Sequence, residues 1–485
     1  MDAVILQSEN SFASQVKYPN TIYIIRYGFD LNSSKIKLPH NVVLKFDGGI
    51  IYNGKIEGNH TCLDALPVHI FDNVIILGSW DVTESYAEWF GALGDGKHDD
   101  GPALRAVLSS PFNIVRLLGT KIYGVGSYAE KDDKVGLLTY HDNTTIIGSQ
   151  KGTEDYRCPQ IKALSTIEFD IFFKVKHRIT TFCGFQIYGS YKKTNRGYEE
   201  FNIKNGIEAS NGQKMLGYFE MDNVEVGYVS EDAAHLSTYC CSIHDCLIRF
   251  CNRGFVFDGK KSTVTSCIVS NCFVIASRSD AFYTYRTFYS NFIQCYADHC
   301  GYDYNKNSNN QNTFPIFHIS NSQGITINGC GAEQAAKIVV CEESNNVVFT
   351  GGHFNVLDEV KINEEALFYD FFNCNSISFI GTHLFETQKH CSRISARNTD
   401  NLAFVRCLYK QNGKLTNLER NSIAKNSSFI MLNDSKDEIC TSDNRPQGLT
   451  DKDIGCRLFD ASLNKPIWWS KKGWVDANGN LVKDK

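Results

Sequence analysis

Between residues 182 and 409 the chain repeats one short pattern of apolar and polar positions. An apolar residue is followed by two turn-type residues, a small residue that is usually Cys, any residue, and a second apolar residue. It reads Ile243-His244-Asp245-Cys246-Leu247-Ile248, then Val264-Thr265-Ser266-Cys267-Ile268-Val269, then Phe292-Ile293-Gln294-Cys295-Tyr296-Ala297. Ile327-Asn328-Gly329-Cys330-Gly331-Ala332, Phe379-Ile380-Gly381-Thr382-His383-Leu384 and Phe404-Val405-Arg406-Cys407-Leu408-Tyr409 continue it. Looser copies begin at Phe182, Met221 and Phe349, with Phe185, Val224 and Gly352 at the Cys position. Anchors at 182, 221, 243, 264, 292, 327, 349, 379 and 404 leave gaps of 39, 22, 21, 28, 35, 22, 30 and 25 residues. A floor near 21 with variable excess marks stacked coils that share a core and differ in their loops.

The second bend residue is Gly184, Asn223, Asp245, Ser266, Gln294, Gly329, Gly351, Gly381 or Arg406. Most are types that accept left-handed backbone angles or bond their own backbone. The long 3.6-residue faces of a helical solenoid are missing. The pattern therefore predicts an all-β chain, a right-handed single-stranded parallel β-helix. A second set of apolar segments, Gly254 to Phe257, Ala281 to Thr284, Phe314 to Ile319, Lys337 to Val340 and Ala366 to Phe371, predicts another ladder of the same coils. The expected divisions are a β-rich region with the first coils over 1–88, the β-helix over 89–438, and a small C-terminal β module over 439–485.

Composition narrows the class. The 485 residues are 42% hydrophobic, with 37 Gly, 32 Phe and 23 Tyr against 9 Pro, which suits strands joined by glycine bends. A net charge of −5 gives no electrostatic reason to expect a nucleic-acid partner, and Lys192-Lys193 reads as solvated surface. The 18 Cys raise disulfides or zinc, since Cys246/Cys251, Cys267/Cys272 and Cys295/Cys300 share one spacing. In the coil register they read instead as small buried residues in columns, and no metal or cofactor is expected. Unpaired thiols in such number suit synthesis in a reducing cytoplasm. Met1 to Gln15 does not read as a secretion signal, and no apolar run reaches the length of a membrane span.

Upstream of the repeats lies Phe90-Gly91-Ala92-Leu93-Gly94-Asp95-Gly96-Lys97-His98-Asp99-Asp100, followed by Pro102, Ala103, Leu104, Val107 and Leu108. Asp99 or Asp100 is expected to cap a helix near 100–109 whose apolar face covers an open coil. Capping is preferred to metal binding for His98, Asp99 and Asp100. The segment resembles the FGA-x-GDG-x-x-DD motif of the pectate-lyase-like β-helix superfamily, which includes lyases, hydrolases and non-enzymatic adhesins.

Residues 18 to 90 carry a narrower likeness through Thr21 to Leu31, Leu44-Lys45-Phe46-Asp47-Gly48-Gly49, Asn53-Gly54-Lys55-Ile56 and Gly78-Ser79-Trp80. They resemble the front of β-helical tail spike and tail fibre proteins of crAss-like and related gut phages. The C-terminal run Arg445 to Thr450, Asp453-Ile454-Gly455 and Leu463 to Trp469, with Gly473-Trp474-Val475-Asp476, is similar to a short module found on such proteins. This resemblance implies a homotrimer in the virion tail, assembled in the host cytoplasm with other tail proteins and binding host surface polysaccharide. It leaves open cleavage of that polymer by a glycosidase or lyase activity. A depolymerase outside any virion and a non-enzymatic structural tail component are the other readings. Trp468 and Trp469 could stack on a sugar, but closing a small β module is the preferred role.

Candidate chemistry comes from stacking. Asp298 and Glu333 each fall three residues after a Cys position, so they are expected side by side on consecutive coils. Two carboxyls that close should not ionise independently, which suits the acid/base pair of glycoside cleavage. Tyr283, Tyr285, Tyr296 and Tyr302 are expected to cover apolar sugar faces, with Arg286 and His299 supplying polar contacts. Two solvated acids on a turn, among ordinary ladder aromatics, is the plainer alternative.

Overall fold

The computed structural model describes residues 1–149, 158–193, 199–210, 212, 216–301, 314–335, 337–356, 367–385, 393–411, 414–416, 429–432, 439–443, 445, 449, 451, 454 and 457–482. The fold is a right-handed parallel β-helix, and contact density divides it into two compact units, one within Met1–Thr287 and one from Phe288 onward.

In the first unit, strands Asp2–Ile5, Thr21–Ile25, Val43–Phe46 and Ile50–Asp64 already pair in parallel, so coiling begins near the first residue. From Ile114 onward each coil contributes three strands to three parallel sheets. Sheet 1 carries Ile114–Arg116, Thr144–Ile147, Thr180–Cys183, Phe219–Asp222, Ser242–His244 and Ile268–Ser270. Sheet 2 carries Ile122–Val125, Gln160–Ala163, Gln186–Tyr188, Glu225–Gly227, Leu247–Cys251 and Phe273–Ser277. Sheet 3 carries Val135–Leu138, Phe169–Val175, Ile203–Ala209, Asp232–Leu236, Arg253–Asp258 and Phe282–Tyr285.

Single left-handed residues turn the corners. Between sheets 1 and 2 they are Gly184, Asn223, Asp245 and Asn271, with φ of 71°, 53°, 52° and 52°. Asn and Asp tolerate this region because their short polar side chains bond locally. The next corner is turned by Tyr228, Phe250 and Ala276.

The helix Gly101–Ser109 forms where expected and buries Ala103, Leu104, Val107 and Leu108. Its capping differs in detail from the simplest reading. Asp100 occupies the N-cap, yet its carboxylate accepts from the backbone N–H of Leu93, Gly94 and Gly124 at 2.7, 3.1 and 3.2 Å. Asp99 Oδ1 takes the helix N–H of Gly101 at 3.0 Å and that of Gly126 at 2.7 Å. The acidic pair thus ties the glycine loop and the following coil to one helix end.

The second unit repeats the three-sheet plan. Its sheet 1 places Phe292, Ile327, Phe349, Phe379 and Phe404 in one column of Cα partners, all buried. These are the expected anchors. Phe379 stacks on Phe349 at 4.4 Å and on Phe404 at 5.0 Å, with interplanar angles of 4° and 8°. Each ring contributes about 2 to 3 kcal/mol of burial, with about 1 kcal/mol more from stacking. Its first corner is turned by Gln294, Gly329, Gly351, Gly381 and Arg406, all left-handed.

One anchor falls elsewhere. In the first unit Phe182, Met221 and Ile243 share a column, but the next member is Val269, not Val264. The segment holds two bends five residues apart, at Ser266 and Asn271, each followed by Cys. Val264–Thr265 is a short strand that pairs in parallel with Thr238–Tyr239 of the preceding coil, Thr265 opposite Tyr239. Cys267 therefore follows Cys241, and Ile268 N donates to Cys241 O at 2.9 Å. The thiol that follows Cys246 is Cys272, since Leu247 pairs with Phe273. Most of the described cysteines are buried. In the second unit Cys295 N donates to Cys330 Sγ at 3.3 Å. The Cys295 thiol and burial together push the Cys330 thiol well up.

Near the C-terminus, Ile439–Cys440, Arg457–Asp460, Lys465–Ser470 and Gly473–Asp476 form a four-stranded sheet. Cys440, Ile467 and Trp474 are its buried centre, with Trp469 packed against them. Trp469 and Trp474 meet edge to face at 5.5 Å, so both serve this small core.

Candidate functional site

Sheet 2 of the second unit holds the predicted carboxyl pair. Strands Tyr296–Asp298 and Gly331–Ala335 pair in parallel, with Tyr296 opposite Gly331 and Asp298 opposite Glu333. Inward Ala297 and Ala332 are buried, so the alternation of the strand turns Tyr296, Asp298 and Glu333 outward. Adjacent parallel strands set the two acidic residues about 4.8 Å apart at the backbone. His299 turns the corner with φ of 52°, donates its backbone N–H to Glu333 O at 3.2 Å, and holds Asp298 Oδ1 from Nδ1 at 2.7 Å. Tyr296 is 39% exposed. Its ring lies beside Gly331, where an added Cβ would meet it at 3.0 Å. Glycine there lets the ring lie along the sheet.

The flank continues through His353 and His383, which follow Gly331 as Cα partners on the next two coils. Their rings are 6.1 Å apart. Burial and the neighbouring His383 hold the His353 imidazole below its ordinary range, against the pull of Glu333. Neither histidine was singled out from the sequence. A signal existed, because both stand directly after the Cys position of their repeats. Two carboxyls, a histidine bonded to one of them, two further imidazoles and an exposed phenol can exchange protons and hydrogen-bond hydroxyls. Among the described residues no group of three His, Cys, Asp or Glu is placed to hold a metal ion.

Tyr283, Tyr285 and Arg286 lie in the first unit, on or beside the sheet 3 strand Phe282–Tyr285, and Tyr302 lies outside the described residues. Tyr283 packs against Arg253, whose guanidinium sits 5.1 Å from the ring centre. Burial pushes its phenol up to about 12. Arg253 grips Asp232 with two bonds, Nε to Oδ1 at 2.6 Å and Nη2 to Oδ2 at 2.7 Å. His235 Nδ1 reaches Asp232 Oδ2 at 2.8 Å, and its Nε2 lies 3.5 Å from Asp258 Oδ2. This network was not legible beforehand, because its members come from three coils of a sheet that the Cys pattern does not anchor.

Burial works against a charged His235, but the carboxylates of Asp232 and Asp258 prevail and raise its pKa to about 9. Burial opposes a charged Asp232 too, yet His235 and Arg253 keep its carboxyl below the usual range, and His235 does the same for Asp258. Glu208 on the preceding coil, and Arg253, Asp280, Tyr283 and Tyr285 on the following ones, are further charged and titratable groups around it. A raised histidine contributes stability that is full below its unfolded pKa near 6.5 and lost as pH climbs through about 9. Thermal unfolding followed from pH 6 to 10 is therefore expected to show an alkaline loss on the order of 3 kcal/mol. His235→Gln should lack that loss. An identical alkaline slope in the variant would refute the assignment.

No family model and no curated protein matches the chain. Solved structures do. The DFA-IIIase of Arthrobacter chlorophenolicus A6, solved in complex with GF2, aligns over 72% of this chain and 94% of its own, at 12% identity and a TM-score of 0.54. Tailspike protein 2 of a bacteriophage of Escherichia coli O157:H7 aligns over 77% of this chain and 48% of its own, at 13% identity and a TM-score of 0.52. The tailspike of an Acinetobacter phage covers 72% and 63%, at 15% identity and a TM-score of 0.50. The chain thus spans about half the length of the full-length coliphage tailspike it matches. At these identities the shared property is the parallel β-helix, the fold of phage tailspikes and of a DFA-IIIase alike.

Proposed function

We propose that this chain is a phage tail spike or tail fibre protein that binds host cell-surface polysaccharide on the flank of its β-helix. The observation that carries the reading is the outward row Tyr296, Asp298, His299 and Glu333, which joins an exposed ring to in-register acids. A sugar's apolar face can lie on the phenol while its hydroxyls donate to the carboxylates. The fold shared with two tailspikes supports the virion setting, and so do the resemblances at both ends of the chain. In that setting the partners are other tail proteins and two further copies of the chain.

The test is retention of the full chain on immobilised surface polysaccharide from candidate gut bacteria. Saturable binding to one polymer type is expected, and no retention on any of them would sink the reading. Light scattering is expected to give three chain masses.

A second reading, cleavage of the bound polymer, is favoured by the backbone spacing of Asp298 and Glu333. That spacing approaches the separation of about 5 Å found between the carboxyls of retaining glycosidases. Asp298, held by His299, is suited to attack the anomeric carbon. Glu333 then protonates the leaving oxygen and afterwards deprotonates the incoming water. With a polymer that the protein shortens, Asp298→Asn with Glu333→Gln should lower the release of reducing ends by roughly a thousandfold or more, a loss that persists at saturating polymer. Normal cleavage by the double variant would remove this pair from the mechanism.

A further inference from the structure

The first unit carries a second polar constellation whose construction exceeds what a surface ion pair needs. We infer that His235 and Asp258, with Tyr285 beside them, form a separate saccharide subsite that grips two adjacent hydroxyls of one sugar ring. It shares with the proposed function only the class of ligand.

The argument starts from how the His235 ring is held. Its Nδ1 is bonded at 2.8 Å to Asp232, a carboxylate only 4% exposed. Asp232 is itself clamped by both bonds of Arg253, and Arg253 is braced against Tyr283. Bidentate guanidinium–carboxylate pairs are among the stronger and more directional contacts available to side chains. Three residues from three consecutive coils thus fix one imidazole.

The other end of the ring is not closed in the same way. Nε2 stands 3.5 Å from Asp258 Oδ2, at the outer limit for a hydrogen bond, and the two side chains are 25% and 23% exposed. A pair that served only to neutralise charge would close to about 2.8 Å, as the Asp232 end does. What remains is a donor and an acceptor side by side, both reachable from solvent. Adjacent hydroxyls of a pyranose match that pairing, because one accepts from Nε2–H while the other donates to Asp258. Tyr285 is the Cα partner of Asp258 on the next coil and half-buried, so its ring borders the same spot. Val256, fully buried between its Cα partners His235 and Tyr283, packs beneath them and supports the imidazole from below.

The same distance argues against glycoside hydrolysis here. A glycosidic bond needs its two catalytic groups about 5 Å apart or more, so His235 and Asp258 recognise rather than cleave. The test follows the side-chain ¹⁵N resonances of His235 in the full chain during titration with methyl glucoside, galactoside and mannoside, against tetrahydropyran-2-methanol, which lacks adjacent hydroxyls. A saturable shift of Nε2 at millimolar concentration is expected with at least one glycoside and not with the control. Asp258→Asn should weaken it at least tenfold while the Nδ1 bond persists. Asp298→Asn with Glu333→Gln should leave it unchanged, which separates this subsite from the flank in the second unit. Equal response to the control, no response to any glycoside, or unaltered affinity in Asp258→Asn would each overturn the inference.

Discussion

Gly184→Ala is expected to destabilise the first unit by about 4 kcal/mol, measured as a fall in denaturation midpoint with unchanged slope. Two costs add at this corner. The backbone has φ of 71°, where a side chain costs on the order of 1 to 2 kcal/mol. A Cβ would also lie 1.7 Å from the backbone oxygen of Ser149. That oxygen cannot rotate away, because Ser149 N donates to Gly184 O at 2.8 Å and fixes the two coils against each other. Gly381→Ala is the control. It has φ of 61° and nothing within 4 Å of an added Cβ, so only the conformational cost of about 1 kcal/mol should appear. Equal losses at the two sites would mean that the coil contact at Gly184 carries no energy.

Arg445→Met is expected to cost 3 to 5 kcal/mol or so, enough to unfold the C-terminal strands. The side chains of Arg445 and Asp460 are 1% and 0% exposed. Asp460 accepts from Arg445 Nε at 2.7 Å and from the backbone N–H of Ser462 and Leu463 at 2.9 and 3.1 Å. Burial opposes its charge, but Arg445, the Leu463 N–H and the Ser442 hydroxyl hold the carboxyl below the usual range. Removing the cation leaves a buried anion in a module whose hydrophobic centre is three side chains. Three of the five tryptophans, Trp468, Trp469 and Trp474, lie in this module, so their emission reports it directly. The change should appear at lower denaturant in Arg445→Met. It should largely recover in Arg445→Met with Asp460→Asn, because the amide carries no charge while its oxygen still accepts from Ser462 and Leu463. A neutral single variant would show that water reaches the pair.

The coils were legible in the sequence because each corner needs one left-handed residue followed by a small one, and that demand repeats. Phe292, Ile327, Phe349, Phe379 and Phe404 fell into their column for this reason. The slip at Val264 has the same origin, since Ser266-Cys267 and Asn271-Cys272 satisfy the rule equally. Only the pairing of Thr265 with Tyr239 on the preceding coil distinguishes them. The adjacency of Asp298 and Glu333 was readable because both are counted from a corner along a single strand. The His235 network depends on which residues of sheet 3 meet across coils of unequal length. Counting from the Cys corner could not supply that register.

The corner rule also bears on how such a chain can diversify. Because one left-handed residue completes each turn, extra segments can enter at the corners while the strands between them keep their pairing. Surface loops can then be exchanged one by one on an unchanged scaffold. A diverging lineage would rewrite the corners and leave the columns of phenylalanine and cysteine alone.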